Sequence, residues 1–141
     1  MYNYVISPVC DFTVNNIFPS WLAPNLITFT ASCINLIPHV WCLYYYGWDF
    51  GDYDRPCSRE LCFAYGACFA IYMWLDNCDG KQARKTENGS PLGMIVDHQA
   101  DIIVSVLNSF GIQHMMGVGN RPDCICLLFI SVFPFYYVML E

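Results

Sequence analysis

The chain has 141 residues, 56% of them hydrophobic, 17% aromatic and only 13% charged, with a net charge of −6. That length allows one domain at most, and so acidic a chain lacks the basic face that a nucleic-acid partner requires, so no nucleic acid is expected. A mean hydropathy of +0.36 is high for a soluble domain and points to apolar helices in a membrane.

Residues 1–23 mix apolar and polar groups, broken by Pro8 and Pro19. A short helix between the prolines, lying in the membrane interface, is expected there. Residues 26–46 carry no formal charge, and about 20 apolar residues suffice to cross a bilayer core of roughly 30 Å. Pro38 should kink this helix and free a carbonyl one turn back. Trp41, Tyr44, Tyr45, Tyr46 and Trp48 form an expected aromatic belt at its far end. His39 reads as a partnered or interfacial histidine rather than a ligand.

A loop rich in Asp and Gly follows, from Gly47 to Glu60. Residues 61–84 form the second expected membrane helix, with Lys81, Arg84 and Lys85 clustered at its end. The positive-inside tendency puts that end in the cytosol. Asn88-Gly89 is a turn dipeptide, and Ser90-Pro91 reads as an N-cap followed by Pro at the first helical position. Membrane helices are then expected over 91–111 and 124–140, the last interrupted by Pro134. The fold class is therefore all-α: a polytopic membrane helix bundle of three to four transmembrane helices with an N-terminal interfacial segment. The nine cysteines do not suggest a zinc site. Most lie in apolar runs, where Cys behaves as a small hydrophobe; Cys57, in a polar loop, is the one whose setting suits reactivity.

The chain is organised around residues 76–101, DNCDGKQARKTENGSPLGMIVDHQAD. Asp76 and Asp79 are three apart, with Gly80, Ala83 and Arg84 following at helical spacing. Gly93, Asp97 and Asp101 recur every fourth residue and also share a face. Four carboxylates brought together in apolar surroundings must be protonated or neutralised by cations. Hard oxygen donors in that number favour Mg²⁺, Mn²⁺ or Ca²⁺ over zinc or copper. Two divalent ions would balance four negative charges, a common device for in-line displacement at phosphorus. Gly80 and Ala83 leave room for a bulky ligand, and Arg84 adds a positive fork suited to phosphate.

The pattern Asp76-x-x-Asp79-Gly80-x-x-Ala83-Arg84, eight residues, then Gly93-x-x-x-Asp97-x-x-x-Asp101 resembles the signature of the CDP-alcohol phosphotransferase family at every defining position. The wording Asp79-Gly80-Lys81-Gln82-Ala83-Arg84, together with Ser90-Pro91-Leu92-Gly93 and Asp97-His98, resembles its choline/ethanolamine phosphotransferase branch. So does the segment Trp21 to Thr28, WLAPNLIT. The resemblance departs at Met94, where this branch usually has Glu, and at Asn77, Cys78 and Lys85; none of these removes a proposed metal ligand.

The resemblance implies a transferase of phospholipid biosynthesis. Diacylglycerol would attack the β-phosphorus of CDP-choline or CDP-ethanolamine and release CMP. Asp76, Asp79, Asp97 and Asp101 would hold two Mg²⁺ or Mn²⁺ ions. Asn25, Gly80 and Arg84 would hold the CDP-alcohol, and His98 would accept the proton. It implies a multi-pass protein among membrane lipids of the endoplasmic reticulum or Golgi, its site facing the cytosol, and admits a homodimer. Family members carry more spanning helices than 141 residues supply, so the chain reads as a partial family domain. Two rival readings are a non-catalytic membrane fragment that binds metal and CDP-alcohol, and a relative using another acceptor alcohol. Choline and ethanolamine head groups are not distinguished by sequence.

Overall fold

A computed structural model of the chain describes residues 6–47, 55–87 and 89–117, with 126, 129, 130 and 133 in addition. Four helices run through them: α1 Ser7–Asn16, α2 Pro24–Tyr46, α3 Arg59–Lys85 and α4 Pro91–Met116. The described residues contain no strand, in keeping with an all-α chain. The expected helix over 124–140 falls largely outside the described residues, as do Trp48, most of the Asp-rich loop, and Asn88 of the expected turn.

Among the described residues two helices, α2 and α3, are long and apolar enough to cross a membrane. Helix α4 is 26 residues long, but Asp97, His98, Gln99 and Asp101 dilute the apolar character of its first half. Phe29, Ile37, Val40 and Phe63 are all more than half exposed, as side chains in contact with lipid would be. Thr30 and Ser32 of α2 fit an apolar setting because their hydroxyls are used locally. Thr30 donates to the Leu26 carbonyl at 2.7 Å and Ser32 to the Thr28 carbonyl at 2.9 Å, each one turn back. Pro38 sits inside α2 without interrupting the helix.

The chain divides into two compact units, Met1–Ile34 with Phe69–Ala100, and Asn35–Cys68 with Asp101–Glu141. Helices α2, α3 and α4 each contribute one part to both. In the first unit, α1 starts around Pro8, whose missing N–H costs nothing in a first helical turn. The amides of Ile17 and Phe18 both return to the Thr13 carbonyl, at 2.9 and 3.1 Å, and the helix ends there. Cys10 and Val14 of α1 pack on Cys78 of α3 as a small buried cluster, flanked by Ile6 and Phe18.

In the second unit, Ser58 caps α3, its Oγ accepting the Leu61 amide at 3.2 Å. Cys42, Leu61 and Tyr65 form the buried cluster. Tyr65 lies so close to α4 that a Cβ added at Gly111 would be 2.8 Å from its ring and would force the ring or the helix to shift. Tyr44 and Tyr45 are exposed, as expected of an aromatic belt. Tyr46 departs from that expectation. Its ring packs on His114 at 4.5 Å and its hydroxyl bridges the Pro56 carbonyl and the Ser58 amide, anchoring the loop before α3. His39 is partnered as expected, Nδ1 donating to the Asn35 carbonyl at 2.9 Å. Burial, reinforced by Cys62, pushes the Cys57 thiol up to about 12. It stays protonated at neutral pH, so the reactivity its polar loop suggested does not follow.

Candidate active site

The acidic stretch folds as its spacing dictates. Asp76, Asp79, Gly80, Ala83 and Arg84 fall within the last three turns of α3. Helix α4 opens at Pro91, where Ser90 Oγ accepts the Gly93 amide at 3.0 Å, the cap expected from the sequence. The first turns of α2 complete the site with Asn25 and Thr28.

Asp76, Asp79 and Asp97 each offer a carboxylate oxygen, and these three atoms lie within 4.8 Å of one another. Asp79 is buried, whereas Asp76 and Asp97 are half-buried. Thr28 Oγ1 donates to Asp79 Oδ2 at 2.5 Å, and both residues are buried. Three carboxylates so close repel one another, and desolvation penalises each charge further. A hard divalent cation removes both penalties, and a donor set of oxygens alone suits such an ion. The residues present therefore fit a metal. Mg²⁺ takes few protein carboxylates and completes its shell with water and substrate phosphate, so an open cavity beside the cluster matters.

Such a cavity is there. It holds about 410 Å³ and is lined by Pro24, Asn25 and Thr28 of α2, by Asp79, Gly80, Ala83 and Arg84 of α3, and by Asp97 with Gly89, Ser90, Pro91, Gly93 and Met94 at the entrance to α4. Gly80 opens onto free space: a Cβ built there would meet only an Arg84 nitrogen, at 4.0 Å. Gly93 is a different case. A Cβ there would lie 3.2 Å from both Asn25 Oδ1 and Ser90 Oγ. Its absence lets Asn25 approach the start of α4.

Of the residues singled out by sequence, Asn25, Asp79, Gly80, Arg84 and Asp97 line one cavity, and Asp76 joins Asp79 and Asp97 in the carboxylate group. His98 is half-buried and is not among the lining residues. It is the next residue after Asp97 on α4 and so points about 100° further round the helix. Asp101, one turn past Asp97, belongs to the second unit. Thr28 was not singled out by sequence. Its signal was its place one turn after Asn25, but a threonine at the head of an apolar helix usually bonds its own backbone, as Thr28 also does to Pro24 at 3.4 Å. Ser90 and Met94 also line the cavity.

Residues 21–140 match the family model described as CDP-alcohol phosphatidyltransferase. The chain is 33% identical over 120 residues to cholinephosphotransferase 1 of Saccharomyces cerevisiae, covering 85% of this chain and 30% of that protein. It is 35% identical over 119 residues to cholinephosphotransferase 1 of Mus musculus, covering 84% of this chain and 29% of the relative. With choline/ethanolaminephosphotransferase 1 of Arabidopsis thaliana it shares 34% identity over 135 residues, 94% of this chain and 32% of the other. The chain thus spans less than a third of the length of these relatives. The matched region takes in the carboxylate cluster and every residue lining the cavity beside it. From that match and that site, this chain belongs to the CDP-alcohol phosphatidyltransferase family.

Proposed function

We propose that this chain carries the donor-binding and metal-binding site of a transferase that moves phosphocholine or phosphoethanolamine from a CDP-alcohol to diacylglycerol. The observation that carries this reading is the meeting of Asp76, Asp79 and Asp97 beside a cavity walled by Asn25, Gly80, Ala83 and Arg84. The names of the relatives supply the substrate class: the yeast and mouse proteins are named cholinephosphotransferases, and the Arabidopsis protein a choline/ethanolaminephosphotransferase.

In this reading Asp76, Asp79, Asp97 and Asp101 hold two Mg²⁺ or Mn²⁺ ions. When bound, such ions offset charge on a diphosphate and on a departing nucleotide. Arg84 pairs with phosphate oxygens through its guanidinium fork, and Asn25 supplies an amide on the opposite wall. Gly80 and Ala83 leave the nucleotide room to lie against α3. The acceptor hydroxyl forms a bond to the β-phosphorus while the bond from that phosphorus to the bridging oxygen breaks, and CMP leaves. The hydroxyl proton passes to His98, which a side-chain rotation would have to bring to the reacting oxygen from its half-buried position.

The surroundings follow from the chemistry. CDP-alcohols are water-soluble and diacylglycerol is not, so the site works at a membrane surface. We take α4 as a third span. The site then faces the cytosol, in the endoplasmic reticulum or Golgi, among membrane lipids, with a homodimer as the assembly.

CMP release tests this reading. The chain in membranes is given CDP-choline or CDP-ethanolamine with diacylglycerol and Mg²⁺, beside a His98→Ala control. Turnover abolished in the control supports the assigned base, and the two rates rank the head groups. Mg²⁺-dependent CDP-choline binding without turnover would favour the non-catalytic reading. Release that depends on a different acceptor alcohol would replace diacylglycerol.

A further inference from the structure

Helix α3 has two working faces in its last turns. One presents Asp79, Gly80, Ala83 and Arg84 to the cavity. The other holds the amino-terminal segment through three side chains. Lys81 Nζ donates to the carbonyl and the Oγ of Ser7, both at 2.7 Å, and pairs with Asp11 at 2.7 Å. Lys85 Nζ donates to the Val14 and Phe18 carbonyls. Helix α1 has no basic residue in its own last turn, so Lys85 supplies the cation that its terminal carbonyls favour.

Gln82 lies between these lysines and is completely buried. Its Nε2 donates to the Pro19 carbonyl at 3.0 Å and to the Leu22 carbonyl at 3.1 Å. Those carbonyls bracket a turn closed by the Leu22 amide returning to Pro19 at 3.1 Å. A primary amide has two N–H groups, one for each carbonyl, and no charge to bury. Lysine would bring a charge into a closed space, and glutamate would set an acceptor against two acceptors. Two residues after the turn, α2 opens at Pro24. Its first residues put Asn25 on the cavity wall and Thr28 on Asp79. The helix that carries Asp79 therefore also grips, three residues later, the turn that aims Asn25 and Thr28 back at it.

We propose that Gln82 is a positioning residue of the donor site: its amide pins the Pro19–Leu22 turn and thereby sets Asn25 and Thr28 on the wall facing Arg84. This rests on the reading of the cavity as the CDP-alcohol site. A merely structural glutamine would change how much chain folds. A positioning one changes how tightly the folded chain binds.

The test compares the full chain with Gln82→Met, which keeps length and loses both donors, and with Gln82→Asn, which keeps an amide but is too short to span both carbonyls. Two readouts are taken in lipid nanodiscs: hydrogen exchange at the Leu22 and Leu26 amides, and CDP-choline affinity in Mg²⁺ per folded molecule. Gln82→Met should exchange at both amides at least tenfold faster and bind CDP-choline at least tenfold more weakly, with helical content kept. If Gln82→Met does not fold, Gln82→Asn decides by the same readouts, with smaller shifts in the same directions. Unaltered exchange, or affinity within twofold of a binding-competent wild type, overturns the role of Gln82 alone. A wild-type chain that binds no CDP-choline overturns the donor-site reading instead, and with it the claim that this pin serves it.

Discussion

Replacing Thr28 by Val removes one oxygen and almost nothing else. The two side chains have nearly the same shape, so packing around α2 is kept. What goes is the 2.5 Å hydrogen bond from Oγ1 to Asp79 Oδ2, made where both residues are buried. Loss of the partner that orients a metal ligand typically weakens metal binding about 10–100-fold. Thr28→Val should therefore raise the Mn²⁺ dissociation constant about 10–100-fold. Titration of the purified chain, followed by calorimetry or by the paramagnetic signal of free Mn²⁺, measures it. Thr30→Val is the control: Thr30 donates to the Leu26 carbonyl at 2.7 Å from an exposed position on the same helix. Its loss should leave Mn²⁺ affinity within twofold. Equal affinities for the two variants would mean that Asp79 binds no metal or needs no orienting, and the account of the cluster would fail.

Gly111→Ala should lower the melting temperature of the chain through a clash of about 1–3 kcal/mol, because the new Cβ would lie 2.8 Å from the Tyr65 ring; an unchanged melting temperature would show that Tyr65 yields freely. Cys57 should resist maleimide at neutral pH, its rate rising about tenfold per pH unit, since only the thiolate reacts and burial pushes its titration up to about 12. Peptide-resolved mass spectrometry reads that rate, and a plateau below pH 9 would contradict the half-buried setting of Cys57.

Much of the site was legible because helical spacing is a local property. Asp76 and Asp79 share a face of α3 as their offset requires and meet Asp97 of α4, Gly80 opens on space, and Ser90 caps the helix that Pro91 begins. The parts that were not legible depend on partners far along the chain. Lys81 and Lys85 look like membrane-flanking charges, yet both spend their donors on α1, more than 60 residues earlier. Nothing in the wording around Gln82 announces that its amide closes a turn at Pro19–Leu22. Tyr46 illustrates the same limit: composition marks an aromatic belt, but only packing decides that Tyr44 faces outward and Tyr46 packs on His114. Helix α4 has the length of a span, and the polar site residues in its first half, Asp97, His98 and Asp101, dilute the apolar pattern that marks α2.

The central claim is that the carboxylate cluster and the cavity beside it form one metal-dependent donor site. Equilibrium binding of CDP-choline to the chain, with and without Mg²⁺, beside Asp97→Asn, tests it most directly. The account predicts binding that requires Mg²⁺ and falls at least tenfold in Asp97→Asn. Binding indifferent to both the ion and the substitution would separate the nucleotide from the carboxylates and contradict it.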